Sequence, residues 1–148
     1  MLQIRRVLCP IDFSETSRRA FDYAVAIARR HGSTVTVLHV FTPTPVAMYA
    51  PAPAALTATI MTPEGRDQVL ASMKAFAATD ADVRVEFAMT EGPAAGEILA
   101  NAAAQPTDII VMGTHGRAGF EHLMLGSVAE TVLRTAPCPV LTVPPQRN

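Results

Sequence analysis

The stretch "IRRVLCPIDFSETSRRAFDYAVAIARRHGSTVTVLHVF" (residues 4–41) predicts a strand, a helix and a second strand, and it decides the fold class. Its first eight residues become apolar after two arginines, as in a buried parallel strand. Apolar residues then recur at helical spacing over 15–31, where Ser14 is placed to cap the helix and Gly32 to end it. Residues 33–41 are short and rich in β-branched side chains. A strand that follows a helix this closely is typical of a βαβ unit, so we expect a parallel sheet.

The same alternation continues along the chain. Further helices are predicted over 64–79, 93–104 and 121–135, and further strands over 82–89, 107–113 and 138–143. This pattern predicts an α/β fold with one open, five-stranded parallel sheet and helices on both faces. No repeat or change of composition marks a second domain, so residues 1–148 are expected to form one. Within it, the Pro/Ala-rich loop 42–63 is longer than usual connections, and a functional lid and a plain tether are equally compatible with its composition.

Composition and charge exclude several classes of protein. The formal net charge is -1, and no basic stripe with interleaved aromatic residues indicates a nucleic-acid partner. No apolar run approaches the roughly 20 residues that span a membrane, and no export signal follows the N-terminal arginines, so we expect a soluble, cytoplasmic protein. The two cysteines, Cys9 and Cys138, lie in apolar strand-like runs and are expected to be buried, reduced and unpaired.

Two strand ends carry the residues that could bind a ligand. The first strand runs into "PIDFSET" (10–16), with Asp12 before a helix start, and the fourth runs into "GTHGRAG" (113–119). A strand order of 3-2-1-4-5 would make these ends neighbours at the switch point, where open parallel sheets bind ligands. Glycines without a Cβ would let backbone amides approach a phosphate there. The alternative is that the glycines serve only a tight turn and close packing.

Gly126 and Ser127 lie inside the predicted helix 121–135. A helix that instead began near Ser127 would direct two amides and a hydroxyl toward an anion. The Walker pattern is absent, and no GxGxxG follows the first strand, which argues against ordinary NTPases and dinucleotide dehydrogenases.

The segment "GTHGRAGFEHLMLGS" (113–127) resembles the G-x2-G-x9-G-[ST] signature of the ATP-binding branch of the universal stress protein family. Gly113, Gly116, Gly126 and Ser127 occupy its defined positions. The resemblance extends over the whole chain, including "PIDFSETSRRAFDYA" and "APCPVLTV". It implies a Rossmann-like, adenine nucleotide alpha hydrolase-like sandwich with strand order 3-2-1-4-5, in agreement with the pattern of strands and helices.

Carried across residue by residue, the resemblance implies a set of nucleotide contacts. Asp12 would contact the ribose, Val40 would meet adenine through its backbone, Met112 would line the pocket, Gly113 would flank the ribose, and Gly116, Gly126, Ser127 and the Val128 amide would hold the phosphates. Alternatively, Asp12 merely caps the first helix.

His115 and Arg117 also lie in the glycine-rich loop. Arg117 is a candidate phosphate contact, although neither residue belongs to the signature, and His115 is expected to be solvated rather than catalytic. No residue spacing resembles a metal site or a nucleophile triad. We therefore expect no dedicated catalytic centre and at most slow ATP hydrolysis.

Two functions follow from the resemblance. The first is a nucleotide-dependent regulatory protein of the stress response that binds ATP, with AMP or ADP as alternatives and Mg²⁺ as the accompanying metal. The second is a dimeric interaction module with a vestigial pocket. In both, a homodimer would form through the C-terminal edge strand 138–143 unless its flanking prolines protect that edge, and an unknown protein partner would read the state of the protein.

Overall fold

The computed structural model describes residues 2–42, 62–79, 81–115 and 125–146. Strands and helices alternate as β1 Arg6–Ile11, α1 Glu15–His31, β2 Thr34–Phe41, α2 Pro63–Phe76, β3 Arg84–Glu91, α3 Ala94–Ala104, β4 Ile109–Gly113, α4 Ser127–Thr135 and β5 Val140–Val143. Most of the predicted loop 42–63 lies outside the described residues. None of the helices within the described ranges is long and apolar enough to cross a membrane.

The five strands form one parallel sheet in the order β3-β2-β1-β4-β5, which confirms the predicted topology. Alternate residues of the buried strands face opposite sides of the sheet. On one side Val7, Cys9 and Val37 pack in a core cluster with residues of α1 and α2, including Phe21 and Met73. The other side packs with α3 and α4 in a second cluster, whose buried members are Leu8, Leu38, Ile98, Ala102, Ile110, Met112, Ala129 and Val132. Both faces of the sheet are therefore covered by helices.

Helix α1 has the predicted bounds because both of its ends carry the expected signals. The Ser14 hydroxyl accepts a hydrogen bond from the Ser17 amide, and Gly32 ends the helix with a φ of 67°. Gly32 can adopt this left-handed conformation because it has no Cβ.

Helix α4 corrects the prediction of a helix over 121–135 and confirms the alternative start near Ser127, because it begins at Ser127. Gly126 has extended backbone angles, with φ -59° and ψ 152°, and its amide donates to the Thr114 carbonyl. Leu125 lies before the helix, yet it packs in the same apolar cluster as Val128. The apolar spacing therefore extends to Leu125, a residue that lies before the start of the helix.

The two cysteines are free and lie on opposite faces of the sheet. Cys9 is fully buried, as predicted. Cys138 is only partly buried, because β5 begins two residues later, at Val140, and not at the cysteine itself.

Candidate functional site

A notch interrupts the carboxyl edge of the sheet at the end of β1. The pairing of β1 with β4 stops at Leu8 and Ile110, although β4 continues to Gly113. On its other side β1 ends at Ile11, opposite His39, and β2 continues two residues further beside β3. The notch therefore lies between the ends of β2 and β4, at the switch point where ligands bind in folds of this type.

The turn after β1 places Asp12 at this notch. An Asp12 carboxylate oxygen, Oδ1, accepts the Ser14 amide at 3.0 Å, while the Asp12 amide faces Ser17 Oγ at 3.4 Å. The side chain that caps α1 is Ser14, whose hydroxyl accepts the Ser17 amide at 3.2 Å. Asp12 therefore orders the turn before the helix, and the interpretation of Asp12 as the helix cap is wrong.

Phe13 is a residue of this turn that the sequence analysis missed. It is the one non-glycine residue with positive φ in the described part of the chain, at 64°. Its ring lies 4.9 Å from the ring of His39 and 5.5 Å from that of Phe76, measured between centroids. His39 Nδ1 in turn lies 3.0 Å from the Ile11 carbonyl oxygen. A phenylalanine between Asp12 and a helix cap carries no signal in the sequence for a left-handed conformation.

At the end of β4, Gly113 is in close contact with α1. A Cβ at this position would lie 2.8 Å from Thr16 Cγ2 and 3.1 Å from the Thr16 carbonyl carbon. The absence of a side chain at Gly113 therefore allows the first turn of α1 to pack against the end of β4.

The start of α4 is joined to the same strand end. The Gly126 amide donates to the Thr114 carbonyl oxygen at 2.7 Å, and the Thr114 amide donates to the Val143 carbonyl oxygen at 3.0 Å. Among the described residues no side chain caps α4 or α3, whereas Ser14 caps α1 and Thr62 caps α2. The first amides of α4 have no acceptor within the helix, so they form a donor group beside the notch.

The structure places seven of the nine predicted site residues at this edge. They are Asp12 after β1, Val40 at the end of β2, Met112 and Gly113 at the end of β4, and Gly126, Ser127 and Val128 at the start of α4. Met112 is buried and Val40 half-buried, and both belong to the apolar cluster on the α3 and α4 face. Gly116 and Arg117 lie outside the described residues.

Two buried polar atoms lack hydrogen-bond partners among the described residues: Thr90 Oγ1 and His115 Nε2. Thr90 is paired in register with Val40. His115, which the sequence analysis expects to be solvated, is half-buried: its Nε2 is buried, and its Nδ1 lies 2.8 Å from Thr114 Oγ1. Both atoms belong to residues at the carboxyl edge. Within the described ranges no cluster of three His, Cys, Asp or Glu side chains could hold a metal ion.

Comparison with known proteins identifies the family. The model of the universal stress protein family matches residues 3–144. A universal stress protein of Methanocaldococcus jannaschii is 34% identical over 140 residues, which cover 94% of this chain and 81% of the relative. A universal stress protein of Thermus aquaticus is 33% identical over 139 residues, which cover 94% of this chain and 98% of the relative.

Solved structures share the fold. Universal stress protein UspA from Lactobacillus plantarum has a TM-score of 0.79 at 26% identity, with 97% of this chain and 99% of that chain covered. The protein MJ0577 has a TM-score of 0.83 at 25% identity, with 99% and 100% covered.

Two more distant structures, which show the fold alone, contain nucleotides. One is a universal stress protein in complex with cAMP, with a TM-score of 0.62 at 23% identity, covering 96% of this chain and 98% of that chain. The other is the universal stress protein from Archaeoglobus fulgidus in complex with dAMP, with a TM-score of 0.58 at 20% identity. From the match to the family model and the identity to curated relatives, the chain belongs to the universal stress protein family.

Proposed function

We propose that this chain is a cytoplasmic regulatory protein of the stress response that binds an adenine nucleotide, ATP above all, in the notch. The observation that carries the proposal is the uncapped start of α4, which the bond from Gly126 to Thr114 holds beside the end of β4. The Asp12 turn lies at the adjacent strand end. One edge of the sheet therefore combines amide donors with a carboxylate, as a nucleotide requires.

The phosphates would bind at the start of α4. The Ser127 and Val128 amides lie in its first turn, where the helix dipole favours a negative charge, and the Ser127 hydroxyl adds a donor. Gly116 and Arg117 complete this end of the site in the proposal, Gly116 by allowing close backbone approach and Arg117 by its charge. Mg²⁺, where it accompanies ATP, would offset the charge of the phosphates.

The nucleoside would bind between β1 and β2. The Asp12 carboxylate would accept ribose hydroxyls, and Val40, two residues beyond the end of the β1–β2 pairing, would offer its backbone to adenine. Met112 would form part of the apolar wall, since it packs in the same cluster as Val40. The cAMP and dAMP complexes support an adenine nucleotide as the ligand, because in them proteins of the same fold hold adenine nucleotides.

In this proposal the binding of the nucleotide, and not its hydrolysis, carries the regulatory function. The competing candidate is a dimeric interaction module with a vestigial pocket. It is favoured by the packing at Gly113 and Gly126, where close contacts explain both signature glycines without a ligand. Homodimerisation through edge strand β5 is part of both proposals, and Leu141 on this strand is 36% exposed.

Calorimetric titration of nucleotide-stripped protein with ATP and Mg²⁺ tests nucleotide binding, with ADP and AMP as competing ligands. Ser127→Ala removes one donor to a charged phosphate and is expected to weaken binding about tenfold. Gly116→Val should abolish binding by placing a branched side chain against the phosphates.

The matched control is Ser72→Ala, because the Ser72 hydroxyl is exposed on α2 and bonds only within its own helix in the described structure, to the Gln68 carbonyl. Gly113 and Gly126 are unsuitable sites for this test, because a Cβ at either would disturb packing directly. If wild-type protein shows no saturable binding, the nucleotide proposal is wrong and the interaction module is favoured.

A further inference from the structure

We propose that Phe13 is a positioning residue for the ribose end of the site. Its ring, packed against β2 and α2, holds the Asp12 turn in a left-handed conformation that directs the Asp12 carboxylate to the nucleotide. This inference rests on the proposed nucleotide function and assigns one determinant of its ribose recognition.

The backbone of Phe13 has an unfavourable conformation. At a φ of 64° the Cβ of an L-residue crowds its own backbone, and a bulky aromatic residue is rarely found there. Such a conformation persists only where the surrounding structure compensates for its cost, and functional sites are where these residues concentrate.

Aromatic contacts of the Phe13 ring supply that compensation. The Phe13 ring is tilted against His39 and meets Phe76 edge to face, with an interplanar angle of 85°. Both supports are themselves held in place. His39 Nδ1 is bonded to the Ile11 carbonyl, and the Phe76 carbonyl accepts the Arg18 guanidinium of α1. The Phe13 ring is therefore anchored by elements on both sides of the turn.

A hydrogen bond couples the conformation of Phe13 to the Asp12 side chain. The bond from the Ser14 amide to Asp12 Oδ1 spans Phe13, so its 3.0 Å length depends on the backbone angles of Phe13. If φ at Phe13 relaxed to a negative value, the Asp12 side chain would lose this bond, which contributes to its orientation. A carboxylate accepts about four hydrogen bonds, so the contact with Ser14 is compatible with ribose hydroxyls as further donors.

The experiment compares the affinity for ATP with that for 2′,3′-dideoxy-ATP, which lacks the hydroxyls that Asp12 would accept. The wild type is expected to prefer ATP by about tenfold or more. Phe13→Ala removes the ring, while the energetic cost of a positive φ at this residue remains. The affinity for ATP should therefore exceed that for the dideoxy analogue by no more than about twofold.

Phe13→Gly also removes the ring, but glycine adopts positive φ without a Cβ penalty. It should therefore retain more ribose preference than Phe13→Ala. A simple packing role predicts the opposite order, because glycine removes more of the side chain and adds chain flexibility. The matched control is Phe87→Ala, since Phe87 packs against the same core cluster from β3, and it should keep the wild-type preference.

Hydrogen exchange of the Ser14 amide gives a readout that needs no nucleotide. Protection should fall in Phe13→Ala and persist in Phe87→Ala. If Phe13→Ala does not fold, Phe76→Leu replaces it, because it removes the ring that supports Phe13 from α2 and should lower the ribose preference in the same direction.

The outcomes separate the two proposals. An absence of ATP binding by the wild type overturns the proposed function and, with it, the role of Phe13. If the wild type binds ATP and prefers it over the dideoxy analogue, an unchanged preference in Phe13→Ala overturns only the inference on Phe13. Equal loss of preference in Phe87→Ala would also overturn it.

Discussion

The Gly126 amide donates to the Thr114 carbonyl oxygen at 2.7 Å, and a Cβ on Gly126 would lie 2.7 Å from that same oxygen. This contact joins the end of β4 to the start of α4. A side chain on Gly126 would collide with the carbonyl oxygen that accepts the hydrogen bond of the Gly126 amide. Gly126 therefore has a structural role that is independent of any ligand. Loss of nucleotide binding on substitution of Gly126 would therefore not by itself identify a phosphate contact.

We predict that Gly126→Ala destabilises the protein by about 1–3 kcal/mol, since the new Cβ must displace a backbone carbonyl. Gly96→Ala is the matched control, because a Cβ on Gly96 in α3 would meet no atom within 4 Å. That substitution should stabilise the protein by about 0.5–1 kcal/mol, as expected of alanine in a helix. Urea unfolding measures both, and equal effects of the two substitutions would contradict the prediction.

Asp108 is predicted to make stability depend on pH in the acid range. Its carboxylate accepts the amides of Arg5 and Arg6 at 2.8 and 2.9 Å, and these bonds hold the pKa of the Asp108 carboxyl below its ordinary value. The unfolded chain therefore binds the proton more readily than the folded protein does. The stabilisation of the folded protein is present above a pH of about 3.9, the ordinary pKa of an aspartate, and it is lost as pH falls through the lowered pKa of Asp108.

Asp108→Asn should lower the free energy of unfolding by about 1 kcal/mol at neutral pH, a modest effect because the carboxylate is exposed. Denaturant titrations at a series of pH values should show the difference in unfolding free energy between the two proteins narrowing as pH falls below about 4. The control is Asp22→Asn, which breaks an exposed pair with Arg18 and should cost about 0.5 kcal/mol or less. A difference for Asp108→Asn that stays constant with pH would count against the amide contacts.

The two thiols are predicted to differ in reactivity. Burial raises the pKa of Cys9 to about 12, and the Asp22 charge adds to the effect. Burial also raises the pKa of the partly exposed Cys138. With iodoacetamide near neutral pH, Cys138 should be labelled slowly in the folded protein and Cys9 only after unfolding, as followed by mass spectrometry of peptides. Labelling of Cys9 at the rate of Cys138 without denaturant would refute this order.

The proposed dimer is tested at Leu141. A lysine at this edge position should prevent strand pairing between copies, so Leu141→Lys is expected to sediment as a monomer at concentrations where the wild type is a dimer. Tyr23→Lys is the control, since Tyr23 is 48% exposed on α1. A wild type that stays monomeric across a dilution series, or a Leu141→Lys protein that stays dimeric, would rule out this interface.

Much of the fold was predictable because its signals are local. The bounds of α1 follow from a cap at Ser14, a glycine at Gly32 and apolar spacing between them, and the structure confirms all three. The strand order was confirmed as well. The start of α4 was predicted six residues too early within the range 121–135, because Leu125 continues the apolar spacing although Gly126 bonds to Thr114.

The candidate site was predictable in its residues but not in its contacts. Asp12 and the signature glycines stand out in the sequence, and the described members do lie at one edge of the sheet. The left-handed Phe13 and the packing of Thr16 on Gly113 could not be predicted, because each depends on an element that is distant in sequence or on a backbone angle with no signature in residue type.

The sequence by itself determined the alternation of strands and helices, the caps of α1 and the family signature, because spacing, capping side chains and glycines act within a few residues along the chain. Only the tertiary structure decided how these parts meet. Phe76 of α2 reaches the turn after β1, and the start of α4 bonds to the end of β4. Such contacts depend on how the helices pack on the two faces of the sheet, which local spacing does not specify.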